Sequence, residues 1–285
     1  MTTPVAVTAR GLWQSSHPGP TCVVTALALA LGFAAGLELW RLVLLTAAVF
    51  AGQLSVGISN DAIDVTRDRI VGRSDKPIAR GVVSVRAAWV AAVGCLLAAL
   101  LLSVPLGIGM LGVHAVTLAS AWAYNAGAKA TPFSLLPFLV SFGLFPSLAT
   151  LSAAEPRFSA GWAVVAGAAL GAAVHLTNVL PDLDDDGRTG IRGLPHRLGA
   201  RASAVLAALG VAVGAVAVLL GPVGGGVAEV APASWAFFVA VLGVAVLGAV
   251  AALQGAAGRM VFRLVMLSAL LLSAQLVATG GALAA

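Results

Sequence analysis

The sequence predicts an all-α integral-membrane protein, a nine-transmembrane-helix bundle with two internally repeated Asp-rich motifs on its cytoplasmic side. Three observations lead there. Of 285 residues, 60% are apolar and 9% charged, whereas a soluble domain carries about 25% charged residues, so most of the surface has to face lipid. The apolar residues fall into runs of roughly 20, the length of a helix that crosses about 30 Å of hydrocarbon. Basic residues cluster between alternate runs. Lipid satisfies no free backbone group, and the Ala/Leu/Gly/Val texture lacks the alternation of a membrane barrel strand, so the runs are read as helices. A soluble enzyme, a disordered chain and a disulfide scaffold are excluded. Cys22 and Cys95 lie in apolar runs and read as small buried hydrophobes.

The first run, at about 21–37, has the length of a signal-peptide core, but its flank offers only Arg10 and no soluble domain follows; it is expected to be a span. The run at 39–58 leads into a first acidic cluster. Runs at 85–103, 106–124 and 132–151 follow, then 160–180, which leads into a second acidic cluster, and finally 202–220, 233–253 and 261–284. With nine spans, the N-terminus and the even-numbered loops share one side. That side holds fourteen of the sixteen Lys and Arg, and the other holds only Arg41 and Arg157. The positive-inside rule then places the N-terminus and both acidic clusters in the cytoplasm of a multi-pass cell-membrane protein. The formal net charge of +5 expresses topology and headgroup contact, and no nucleic-acid partner is expected. Residues 1–285 are expected to form a single domain. Trp40, Trp162 and Trp235, near run ends, fit an interfacial belt.

The windows 61–86 and 182–201 hold 18 of the 27 charged residues. A shift of 118 residues superimposes Asn60 on Asn178, Asp64 on Asp182, Asp68 on Asp186, Gly72 on Gly190, Pro77 on Pro195 and Gly81 on Gly199. Both copies read N-x3-D-x3-D-x3-G-x4-P-x3-G. If each span continues as a helix past its apolar run, positions i, i+4 and i+8 drift by about 40° and rise by about 6 Å per step, so Asn, Asp and Asp form one stripe of oxygens. Such a stripe repels itself unless a cation sits on it, and hard oxygen ligands suit Mg²⁺. Pro181 is expected to bend the second stripe. Two Mg²⁺-bearing stripes beside many bases fit a diphosphate, and an apolar bundle beneath them fits an alkyl tail. The combination points to an isoprenoid diphosphate as substrate.

At these residues the chain resembles the UbiA superfamily of intramembrane prenyltransferases, which show N-D-x-x-D-x-x-x-D after the second helix and another Asp-rich motif after the sixth. NDAIDVTRD (60–68) matches the first in full, RSDKPIARG (73–81) is similar to its basic continuation, and NVLPDLDDDGRTGIRGLPHRLG (178–199) matches the second in spacing. The resemblance implies Mg²⁺-dependent ionisation of an allylic diphosphate and capture of the carbocation by a lipophilic, commonly aromatic, acceptor. It implies that Asn60, Asp61, Asp64, Asp68, Asn178, Asp182 and Asp186 hold magnesium and diphosphate, with Asp64, Asp68, Asp182 and Asp186 catalytic. Arg67, Arg73 and Lys76 are implied phosphate contacts. The family's Y-x3-K is one residue longer here, between Tyr124 and Lys129, and the same role is expected of that pair.

His175 shares the face of Asn178 one turn deeper, and with Gln53 and Asn125 it is expected in pocket contact; the competing roles are interhelix hydrogen bonding and, for Asn125, a helix C-cap. His17 and His196 are expected in solvent, and Asp184 and Asp185 fall off the stripe. Phe50, Trp122, Tyr124, Phe138 and Phe142 are candidate cation stabilisers. Three other activities share the polar pattern: a terpene cyclase that needs no acceptor, transfer of an activated sugar to a polyprenyl phosphate, and a transporter, whose polar centre belongs nearer mid-membrane.

Overall fold

A computed structural model describes residues 4–183, 190–255, 258–280 and 283–284. Its helices are α1 (Pro4–Ser15), α2 (Pro18–Ala34), α3 (Leu39–Ile63), α4 (Val65–Ile70), α5 (Val85–Ser103), α6 (Ile108–Ala126), α7 (Leu136–Thr150), α8 (Gly161–Asn178), α9 (Leu194–Leu220), α10 (Pro232–Leu253) and α11 (Gly258–Thr279). The all-helical expectation holds among the described residues, where extended pairing is limited to an isolated antiparallel bridge between Ser159 and Ala284. Each apolar run overlaps one of these helices. Six of them, α3, α5, α8, α9, α10 and α11, are long and apolar enough to cross a membrane alone. The α1–α2 pair, bent by 69°, makes a seventh candidate.

The nine-span expectation therefore meets six or seven candidate spans, for a physical reason. α7 has only 15 residues and α2 only 17. α6 spends part of its length on His114, Tyr124 and Asn125. Helices that turn polar groups towards a shared interior need less apolar length than those in full contact with lipid. α2, α3, α6, α7, α8 and α11 surround that interior, while α5 packs outside on α3 and α10 outside on α9 and α11. Cys22, expected to be buried, is exposed on α2, and Cys95 is half-buried on α5.

The 118-residue repeat extends to the fold: the same shift carries α2 onto α7, α3 onto α8, α5 onto α9 and α6 onto α10. It also explains which residues recur. Gly72 and Gly190 have φ of 71° and 84°, and Gly81 and Gly199 have φ of 76° and 78°. This left-handed region costs a residue with a Cβ about 1–2 kcal/mol, so each copy places glycine at the same two points, and at Gly199 the conformation kinks α9 near its start. Pro77 and Pro195, between them, are both buried.

Small residues let the helices approach closely, as packing within lipid requires. On α8, a Cβ at Gly167 would run into the carbonyl of Phe142 on α7, whereas one at Gly94 on α5 would meet nothing within 4 Å. Gly167→Val is expected to destabilise the protein by about 1–3 kcal/mol through overpacking, while Gly94→Ala is expected to be neutral or to stabilise it by up to about 1 kcal/mol. Thermal unfolding of both variants in detergent measures the contrast.

Candidate active site

The first acidic motif forms where α3 passes into α4. Asp64 lies between the two helices with φ −80° and ψ −2°, its N–H donates to the Asn60 carbonyl at 3.0 Å, and the Asp68 N–H donates to the Asp64 carbonyl at 2.8 Å. The helical repeat is thus kept across the junction. Asn60, Asp64 and Asp68 stand on one face, with Asp61 beside them; the three carboxylates are buried.

Buried carboxylates need counter-charges, and the chain supplies them from four segments. Lys129, on the turn after α6, donates to both carboxylate oxygens of Asp64 at 2.6 Å and to Asn60 Oδ1 at 3.3 Å. Arg67 Nη2 donates to Asp64 at 2.9 Å and lies 3.6 Å from Asp68 Oδ1. Lys76 reaches Asp61 Oδ1 at 2.5 Å, and His17 Nε2 reaches the same oxygen at 2.9 Å. Arg73 grips Asp75 with two hydrogen bonds of 2.9 and 3.0 Å and donates a third, of 3.2 Å, to Asp182. That last bond, between residues 109 apart in sequence, joins the two motifs.

The surroundings set the ionisation. Burial raises the Asp68 carboxyl above its ordinary pKa although Lys76 and Arg67 oppose the shift. The hydrogen bonds from Arg73 hold Asp75 down at about 2, and the same bonds raise the Arg73 guanidinium further above its usual range. Two buried acidic oxygens, Asp61 Oδ2 and Asp68 Oδ1, receive no hydrogen bond. Unsatisfied hard oxygens fit a divalent cation such as Mg²⁺, which binds through one or two carboxylates and completes its shell with water or phosphate. Among the described residues, no three His, Cys, Asp or Glu side chains are gathered for a metal ion.

The second motif is less regular than the first. α8 ends at Asn178 and gives way to a 3-10 turn, Leu180–Asp182, because Pro181 has no N–H to continue an α-helix. Asn178 is exposed, and Asp182 is half-buried against Arg73. Asp184, Asp185 and Asp186 lie outside the described residues. Past them, the Leu194 N–H donates to Ser134 Oγ at 2.9 Å, which ties the end of the motif to the segment that follows Lys129.

Under this polar cap lies a cavity of about 300 Å³. Asn60, Asn178, Tyr124, Asn125 and His17 line its upper part, and Gln53 lies below them. Below these the walls are mostly apolar, down to Leu148, Trp162 and Leu283. Asn125 donates to the Val56 carbonyl at 2.9 Å and to Ser59 Oγ at 3.1 Å, so it both faces the cavity and ties α6 to α3. Tyr124 meets the Phe138 ring edge-on, with centroids 5.0 Å apart, and Phe138 stacks on Phe142 at 6.1 Å; all three line the cavity.

Other residues fall elsewhere than expected. His175 is not among the lining residues: it shares a 3.0 Å hydrogen bond with Ser134 and packs against Tyr124 and Phe138 from behind. Phe50 faces outward against Trp13, and the Trp122 indole N–H donates to Ser55 at 3.2 Å; neither lines the cavity. Trp162 does line it, although its place near a run end suggested the membrane interface. His17, expected in solvent, binds Asp61 and lines the cavity mouth. The cue was Pro18, which starts α2 and leaves His17 at the bend with φ 55°. His196, also expected in solvent, is half-buried.

Known proteins share this architecture. A UbiA homolog from Aeropyrum pernix K1 superimposes with a TM-score of 0.76 at 19% identity, covering 92% of this chain and 98% of that one. A UbiA homolog from Archaeoglobus fulgidus bound to GPP and Mg²⁺ gives 0.71 at 14% identity, covering 95% and 98%. A digeranylgeranylglyceryl phosphate synthase structure gives 0.69 at 13% identity, covering 96% and 98%. No protein of curated function matches the sequence significantly. The profile of the UbiA prenyltransferase family matches residues 21–280. The chain is a multi-pass membrane protein and belongs to the UbiA prenyltransferase family.

Proposed function

We propose that the protein is a Mg²⁺-dependent membrane prenyltransferase that ionises an allylic isoprenoid diphosphate and transfers the prenyl group to a lipophilic, aromatic acceptor. The observation that carries this reading is the joining of the two acidic motifs by Arg73 and Asp182 above an apolar cavity. Related structures bound to GPP or DMAPP together with Mg²⁺ support it. The excess of basic residues in the even-numbered loops supports a cytoplasmic cap and N-terminus. Nine crossings fit that division, with α2, α6 and α7 counted as spans.

Asn60, Asp61, Asp64 and Asp68, with Asn178, Asp182 and Asp186, would hold the metal. When bound, Mg²⁺ neutralises the diphosphate and makes it a better leaving group. Lys129, Lys76, Arg67 and Arg73 stand against carboxylates, and a diphosphate on the cap would draw their donors to phosphate oxygens, with the Tyr124 side chain at the cavity top. The C1–O bond breaks and its electron pair leaves with the diphosphate. The ring faces of Tyr124, Phe138 and Phe142 favour the resulting cation. An electron pair of the acceptor forms the new bond to C1, and the acceptor loses a proton.

Two outcomes follow. With geranyl diphosphate, Mg²⁺ and a phenolic acceptor, Asp64→Asn and Asp182→Asn should each lower diphosphate release by about 100-fold or more, a loss of about 2.7 kcal/mol in transition-state stabilisation. Both variants should still insert and elute as the wild type does; unchanged turnover in both overturns the reading, and prompt terpene formation without acceptor favours a cyclase. Lys129→Met removes the lysine from the Asp64 carboxylate and should destabilise the metal-free protein by about 1–3 kcal/mol. Added Mg²⁺ should recover part of that loss in thermal unfolding.

A further inference from the structure

On the reading that the cavity holds a prenyl chain, we propose that Trp162 and Leu283 form a floor that sets the longest chain accepted, about four isoprene units by the depth of the cavity. α8 lines the cavity along its whole depth, with Asn178 at the cap and Val174, Leu170, Ala166 and Trp162 below it. From Asn178 to Trp162 is sixteen residues, or about 24 Å at the α-helical rise. An isoprene unit advances by four carbon–carbon bonds of about 1.5 Å, about 5 Å when extended. A chain whose diphosphate rests on the cap therefore meets the floor with its fourth unit.

Both floor residues are held in place. The Trp162 indole lies over Gly221, where any Cβ would overlap the ring, so the backbone of the turn that follows α9 fixes its height. Leu283 is 2% exposed and comes from beyond α11. It enters the cavity base because the Ala160 N–H donates to the Leu283 carbonyl at 2.7 Å, and because Ser159 and Ala284 form the antiparallel bridge. The segment just before α8 thus anchors the segment after α11 directly below the substrate space. Such a floor differs from the cap in what it decides: the cap recognises the diphosphate, and the floor limits the hydrocarbon.

The test uses the full-length protein in detergent with Mg²⁺ and thiolodiphosphate analogues, whose C–S bond resists ionisation. Affinities for the geranyl, farnesyl, geranylgeranyl and hexaprenyl compounds are read from ligand-dependent thermal shifts. Wild type should bind the hexaprenyl analogue at least about tenfold more weakly than the geranylgeranyl one, a difference of about 1.4 kcal/mol. Trp162→Ala and Leu283→Ala should narrow that gap. Ala166→Phe, which raises the floor by one turn without leaving a hollow, should weaken the geranylgeranyl analogue at least about tenfold more than the geranyl one. It decides the matter alone should the two truncations fail to fold. Equal wild-type affinity for the two longest analogues, or a length profile unchanged by Ala166→Phe, overturns the proposed floor. Failure of every analogue, and of inorganic pyrophosphate, to bind with Mg²⁺ overturns the diphosphate reading itself and the floor with it.

Discussion

The whole arrangement depends on neutralising buried carboxylates at the end of an apolar bundle. Asp61, Asp64 and Asp68 are each at most 7% exposed, and an isolated ionised carboxylate in such a place would cost several kcal/mol. The chain meets that cost with cations from separate segments: Lys129 after α6, Lys76 from the loop after α4, and Arg67 from α4 itself, while Arg73 of the same loop holds Asp182 of the second motif. Each ion pair spans two segments or stiffens one. Together they draw the α3 end, the α6 end and the second motif to the top of one cavity. The geometry of the cap is thus a result of charge balance, and the helices below are arranged so that this balance is possible.

Much of this was legible in the sequence because it follows from period and composition. The apolar runs appear as helices, and the i, i+4, i+8 stripe of Asn60, Asp64 and Asp68 survives since Asp64 keeps near-helical angles. The repeat was readable for a deeper reason: its glycines sit where the backbone has φ near 70–85° in both copies, and its prolines are buried in both. Identity at those positions records a backbone requirement. At Pro181, where a bend was expected, the α-helix ends at Asn178 and a 3-10 turn follows.

What was not legible depends on tertiary packing. His17 looked like a solvated residue between two short polar stretches, and only the 69° bend between α1 and α2 carries it to Asp61. Trp162 looked like an interfacial anchor, and only the missing side chain at Gly221 lets its indole lie at the cavity base. His175 was placed on the correct face of α8 by its spacing from Asn178, but Tyr124 and Phe138 cover it. Length and hydropathy taken helix by helix pick out six or seven candidate spans, since α6 and α7 derive part of their environment from neighbouring helices and not from lipid.

The lysines on the acidic cap have a consequence for how the protein is made. Because Asp61 and Asp64 already carry Lys76 and Lys129, these two carboxylates can be buried as the helix ends come together with counter-charges that the chain itself provides.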